Sequence, residues 1–104
     1  MIDREIPRLA LVDALHDVLD PETGVNLVDL GLVYEVDFAP ESGAARVTMT
    51  LTTPACPAGS VMIEGVERRL EQVPGVKSVD VQLTFEPKWT PDRITPEGRA
   101  LLGW

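Results

Sequence analysis

Three short runs in this chain alternate apolar and polar residues with a period of two. In Leu32–Phe38 (LVYEVDF), Tyr34, Val36 and Phe38 fall on one side, with Glu35 and Asp37 on the other. In Arg46–Thr53 (RVTMTLTT), Val47, Met49 and Leu51 point inward while Thr48, Thr50 and Thr52 point outward. In Val76–Phe85, Val79, Val81, Leu83 and Phe85 face one way, against Asp80, Gln82 and Thr84. Side chains of a strand alternate between faces, so each run predicts a strand with one apolar and one polar side. A sheet of such strands is covered on one face only.

The cover has to come from helices, and two segments have the spacing for it. Leu11, Leu15, Val18 and Leu19 recur at helical intervals, with Leu9 and Val12 beside them. They predict a helix over about 8–19, stopped by Pro21 because the residue before a proline is pushed out of the α region. Met62, Ile63, Val66, Leu70 and Val73 make a second stripe, with Ser60 as its expected N-cap and Pro74–Gly75 as its end. The first two strands flank a Pro- and Gly-containing turn (APESGA, 39–44) and read as an antiparallel hairpin. Between the first helix and first strand lies an apolar connection, Asp20–Gly31 (DPETGVNLVDLG), expected to pack beneath something.

The order is therefore α-β-β-α-β-α, an α+β chain folded as a two-layer α/β sandwich with a three-stranded mixed sheet. Residues 86–104 form a Pro-rich tail. It ends in a short helix from Pro96 to about Leu102, capped by Thr95 with Pro at the first helical position. At 104 residues, one domain over 1–104 is expected, burying about 60–70% of its unfolded surface.

Composition narrows the function. Lys and Arg number 9 against 17 Asp and Glu, a net charge of −8. Such a chain is poorly suited to phosphate backbones or anionic lipid, so neither nucleic acid nor membrane is an expected partner. No signal peptide and no long apolar run is visible. With Cys56 as its single cysteine the chain forms no internal disulfide, which fits a reducing, cytoplasmic setting.

Cys56 is the residue of greatest chemical interest. A lone cysteine is often a small buried hydrophobe. Here, however, Pro54 and Pro57 bracket it, Gly59 allows close backbone approach, and a helix begins within a few residues. A helix start favours thiolate over thiol, and thiolate is the form that ligates soft metals or attacks electrophiles. One cysteine cannot complete a tetrahedral site or hold a cluster that takes four ligands. His16, the only histidine, sits on a polar helix face and is expected to be solvated rather than a ligand. Transient, shared or intersubunit ligation, or covalent handover, therefore fits better than standalone catalysis.

Other residues carry weaker expectations. Asp29 lies in an apolar run just before the first strand. It either caps a turn by accepting backbone hydrogen bonds, or sits near Cys56 across the hairpin as a base or hard ligand. Asp20, at a Pro-terminated helix end, is expected to be structural. The outward threonines are ordinary exposed positions on a face that could receive a partner. Trp89 and Trp104 either pack the tail onto the body or serve a partner, and Trp89 is the partner-binding candidate.

Two signatures resemble a known family. Asp20-Pro21-Glu22 followed by Val25–Tyr34 (VNLVDLGLVY), and Leu51–Pro57 (LTTPACP), look like those of the SufT/PaaD-like iron–sulfur assembly factors. Val73–Val76 and Trp89-Thr90-Pro91 agree with that family's third strand and tail. The resemblance implies the compact fold of the NifU C-terminal domain and a role in maturing iron–sulfur proteins or beside phenylacetate ring-oxygenation enzymes. It places the signature cysteine on Cys56 and the paired acid on Asp29, with Thr53 and Asp20 as supporting site residues. Iron or an iron–sulfur cluster would be bound transiently, with assembly proteins, client apoproteins or a second copy as partners. The chain carries neither the cysteine-rich tail of larger PaaD proteins nor a Cys-x-x-Cys pair, so the short general assembly type is the better match. A thiol-dependent enzyme using Cys56 as nucleophile, and a pure adaptor in which Cys56 is inert, remain the alternatives.

Overall fold

The alternating runs form strands and the striped segments form helices. A computed structural model describes residues 5–52 and 58–103, with side chains from Arg8 onward. In chain order the elements are α1 (Glu5–Leu15), β1 (Val33–Ala39), β2 (Ala44–Met49), α2 (Gly59–Glu71), β3 (Ser78–Leu83) and α3 (Pro96–Leu102), with a 3-10 turn at Pro91–Arg93. The sheet runs β1-β2-β3. β1 pairs antiparallel with β2, as the hairpin requires, and β3 returns parallel to β2 after α2. The mixed three-stranded sheet and the α-β-β-α-β-α order are as expected.

α1 packs on β1, α2 packs on β3, and the two helices touch each other, so both lie on one face of the sheet. The core between the layers holds Leu11 and Leu15 from α1, Val36 and Phe38 from β1, and Val47 and Met49 from β2. Met62, Val66 and Leu70 from α2 complete it. Each fully buried aliphatic side chain of this set contributes roughly 1.5–3 kcal/mol of transfer free energy. Leu27 and Leu32, both completely buried, bring the apolar connection 20–31 into the same core. The opposite face is polar: Glu35, Asp37, Arg46, Asp80 and Gln82 are exposed, and Arg46 meets Asp80 across the β2–β3 register at 3.4 Å.

Five sequence expectations need correction. α1 ends at Leu15, four residues early, because the backbone of His16, Asp17 and Val18 tightens into i→i−3 bonds. Leu19 then pairs with Asn26 in an isolated bridge, so it leaves the helix stripe and is 53% exposed. Ser60 is not the N-cap of α2: the helix starts at Gly59 behind Ala58, with no side-chain cap. Thr50 is fully buried rather than outward, since the chain has left the β2 ladder and its N–H bonds to the carbonyl oxygen of Leu32 at 2.8 Å. β3 stops at Leu83, which is 43% exposed, because the strand has no neighbour beyond β2 to hold its far end. Tyr34 does not share the buried face fully with Val36 and Phe38. An irregularity in the register between Val33 and Glu35 shifts its phase and leaves it half-buried.

Candidate functional site

Cys56 and Thr53, with Pro54, Ala55 and Pro57, lie outside the described residues, as does Trp104. The flanks of that segment are well defined. Leu51 is buried, and a Cβ placed on Gly59 would come within 2.8 Å of its Cδ1. A side chain here would have to displace the end of the Leu51 side chain, so glycine lets the start of α2 lie close against Leu51. Residues 53–57 therefore join two points that are already in contact, one on the extension of β2 and one at the start of α2.

The connection 26–32 runs beside the same extension, through the Thr50–Leu32 hydrogen bond. The start of β1 and the end of β2 are thus neighbours, as antiparallel pairing requires, while Cys56 itself lies outside the described residues. The Asp29 carboxylate, however, is engaged elsewhere. Its Oδ2 accepts from Asn26 Nδ2 at 2.7 Å and its Oδ1 from Thr95 Oγ1 at 2.9 Å. The Asp29 N–H donates to Asn26 Oδ1 at 2.9 Å, and the Asp29 carbonyl oxygen accepts from Thr95 N–H at 2.9 Å. Among the described residues its carboxylate accepts from two side chains rather than from the expected backbone N–H groups. Asp29 thus holds the C-terminal arm against the first signature. Asn26 and Thr95 are the partners that sequence reading missed, although an Asn three residues before an Asp is a recognisable turn signal.

Two glycines and one indole tighten this seam. Gly31 has φ +74, and any Cβ there would collide with the backbone carbonyl of Arg93. A Cβ on Gly98 would lie 2.6 Å from the Asp29 carbonyl oxygen. Trp89 is half-buried and donates from Nε1 to the Leu30 carbonyl oxygen at 2.8 Å, so its polar handle is used within the fold. Thr95 caps α3 as expected, accepting from Gly98 N–H at 3.0 Å.

Asp20 is 7% exposed and ties its own turn, accepting from Glu22 N–H at 2.9 Å and from Thr23 Oγ1 at 3.3 Å. That is the structural part expected of it. His16 is exposed and bonded to the Val12 carbonyl oxygen through Nδ1. Among the described residues no three His, Cys, Asp or Glu side chains converge in a way that could hold a metal ion. No helix in the described residues is long and apolar enough to cross a membrane.

Against the seam lies an open groove of about 530 Å³ lined by Val28, Gly31, Val33, Tyr34, Pro87 and Arg93. The Arg93 guanidinium carbon stands 4.6 Å from the centroid of the Tyr34 ring, a cation–π contact. Tyr34 Oη donates to the Pro87 carbonyl oxygen at 2.8 Å, which fixes the ring.

Residues 8–83 match the family described as iron–sulfur cluster assembly protein. The chain belongs to that family. Both signatures fall inside the matched span, and the arm carrying Trp89 and Thr95 lies beyond it. The chain is 48% identical over 94 residues to a Porphyromonas gingivalis protein named Fe-S protein maturation auxiliary factor, covering 90% of this chain and 89% of that one. A Staphylococcus aureus protein named Fe-S protein maturation auxiliary factor SufT is 38% identical over 86 residues, covering 83% and 97%. Among solved structures, a domain of unknown function, DUF59, from Bacillus anthracis superposes with a TM-score of 0.90 at 35% identity, over 96% of this chain and 94% of that one. This iron–sulfur assembly protein is thus SufT-like in sequence, as its two signatures led us to expect.

Proposed function

We propose that the chain is a non-enzymatic accessory factor in the maturation of iron–sulfur proteins. Cys56 is its working residue, as a transient ligand for iron or a cluster in transit to a client. The observation that carries this reading is the placement of the chain's only thiol. It falls in the second signature, between Leu51 and Gly59, which approach each other closely, and Leu32 of the first signature bonds to Thr50 just before them. Pro54 and Pro57 fix two φ angles beside the thiol, which limits the entropy lost when its thiolate takes a ligand. Because one cysteine supplies only one of the four ligands a cluster normally takes, the remainder come from another chain. That chain is an assembly protein, a client apoprotein, or a second copy contributing its own Cys56. Transfer rather than storage follows from an incomplete site.

Asp29 supports the site by holding the loop that borders it, through the hydrogen bonds its carboxylate accepts from Asn26 and Thr95. Asp20 shapes the start of the same loop, and Thr53 stands three residues before the thiol. We place the chain in the cytoplasm, acting as one domain over residues 1–104.

The test is anaerobic reconstitution with iron and sulfide, followed by transfer to an apo-client of the [4Fe–4S] type. The wild-type chain is expected to take up iron and sulfide and to speed client activation, and Cys56→Ser to do neither. Equal uptake and equal transfer by the two chains would remove Cys56 from the role.

A further inference from the structure

The groove of Val28, Gly31, Val33, Tyr34, Pro87 and Arg93 holds a cation with no anion beside it among the described residues. Arg69 pairs with Asp17 and Arg46 with Asp80. Arg8 and Arg99 donate to the carbonyl oxygens of Val36 and Pro91, while Arg68, also without an anion among the described residues, lies on α2 and outside this groove. The Arg93 guanidinium meets only the face of Tyr34 among the described residues, although the chain carries 17 acids. It is also held in place. Its backbone carbonyl abuts Gly31, its N–H bonds to the Thr90 carbonyl oxygen at 3.0 Å, and Tyr34 beneath it is anchored to Pro87. A preorganised guanidinium with free N–H groups suits a planar carboxylate, which it can bind through two parallel hydrogen bonds.

We infer that this groove docks an extended segment of a client protein, in which an acidic side chain reaches Arg93 and apolar side chains two residues away cover Val28, Val33 and Pro87. The inference rests on the maturation role proposed above and names the chemistry of the partner. Two features favour a peptide over a small free anion. A single exposed guanidinium in a chain of net charge −8 adds little affinity by itself, so the ligand needs apolar contact as well. Three of the six lining residues are aliphatic or proline side chains flanking the cation, a pattern that side chains on one face of an extended strand can match. The position also serves the proposed role. Leu32, between the lining residues Gly31 and Val33, accepts through its carbonyl oxygen from the N–H of Thr50, which precedes the second signature in sequence.

The experiment uses the full, cluster-free chain and a pentapeptide probe capped at both ends, Leu-Ser-Glu-Ser-Val. Its Gln counterpart and free glutarate serve as comparisons, and binding is followed by amide chemical shifts. The Glu peptide is expected to shift residues 28–34 and 88–93. It should bind roughly twofold to fivefold more tightly than the Gln peptide, the range for one exposed ion pair. Arg93→Gln is expected to abolish that discrimination, Arg93→Lys to retain part of it, and Arg68→Ala, at another exposed arginine, to leave it unchanged. Dispersed spectra of each variant establish that it folds. The inference is overturned by equal binding of the Glu and Gln peptides, by shifts confined to other surfaces, or by glutarate binding as tightly as the peptide. It is equally overturned if Arg68→Ala weakens binding as much as Arg93→Gln does. Cys56→Ser is expected to bind the peptide normally, so failure of the cluster experiment and failure of the groove remain separate results.

Discussion

The space beneath the sheet and the seam beside it are held by different forces. Beneath the sheet, α1 and α2 bury aliphatic side chains against β1 and β2 in a contiguous apolar cluster. Along the seam, residues 26–31 meet the arm 89–98 through directed hydrogen bonds, with Thr95 donating to Asp29 and Trp89 to Leu30. Two glycines admit backbone where no side chain fits. Apolar burial is non-directional and supplies most of the stability. Hydrogen bonds contribute less in net free energy but specify geometry. The core therefore decides whether the chain folds, while the seam decides how the first signature and the groove are presented.

Truncating the core should have the largest effect. Leu70→Ala, at a fully buried position in α2, is expected to cost about 2–5 kcal/mol, read from the denaturant midpoint at unchanged m-value. A smaller loss than this would mean that the site relaxes around the void, and that core and seam differ less than proposed.

At the seam, Gly31→Ala combines a positive φ with a backbone collision, and roughly 2–4 kcal/mol should be lost. Unlike the core variant, it should also displace the Trp89 indole N–H resonance, because the carbonyl accepting from it belongs to the adjacent residue. An unmoved indole signal would separate the glycine from the arm. Thr95→Val removes both the α3 cap and the Asp29 hydrogen bond, for about 1–2 kcal/mol. Hydrogen exchange should report it as faster opening of the arm while β2 stays protected. Uniformly faster exchange would show that arm and core open as one unit.

The smallest effect belongs to the polar face. Asp80→Ala breaks a pair in which both side chains are more than half exposed, and less than about 1 kcal/mol should be lost, vanishing at high salt. A larger, salt-independent loss would show that the outer face carries structure of its own.

Much of this was legible beforehand. Period-two runs located the three strands and helical stripes located α1 and α2, because amphipathic faces repeat with the geometry of the backbone; α3 was marked by its Thr95–Pro96 cap, and the 3-10 turn at Pro91–Arg93 carried no such signal. Boundaries slipped where long-range pairing overruled local pattern: Leu19 bridges to Asn26, and Thr50 turns inward to bond Leu32. The chemical role of Asp29 was half legible. Its place ahead of β1 suggested a turn, but its partner Thr95 is 66 residues away, and no local signal reports such a distance. Arg93 carried no motif and gained interest only when the fold set it over Tyr34.

The sequence by itself determined the class of fold, the family, and the single thiol on which the proposed chemistry rests. These are properties of periodicity, composition and short contiguous motifs. Only the tertiary structure decided that Asp29 secures the arm and that a lone guanidinium lines a groove beside the first signature. Those outcomes depend on which distant residues meet, and packing of the whole chain settles that.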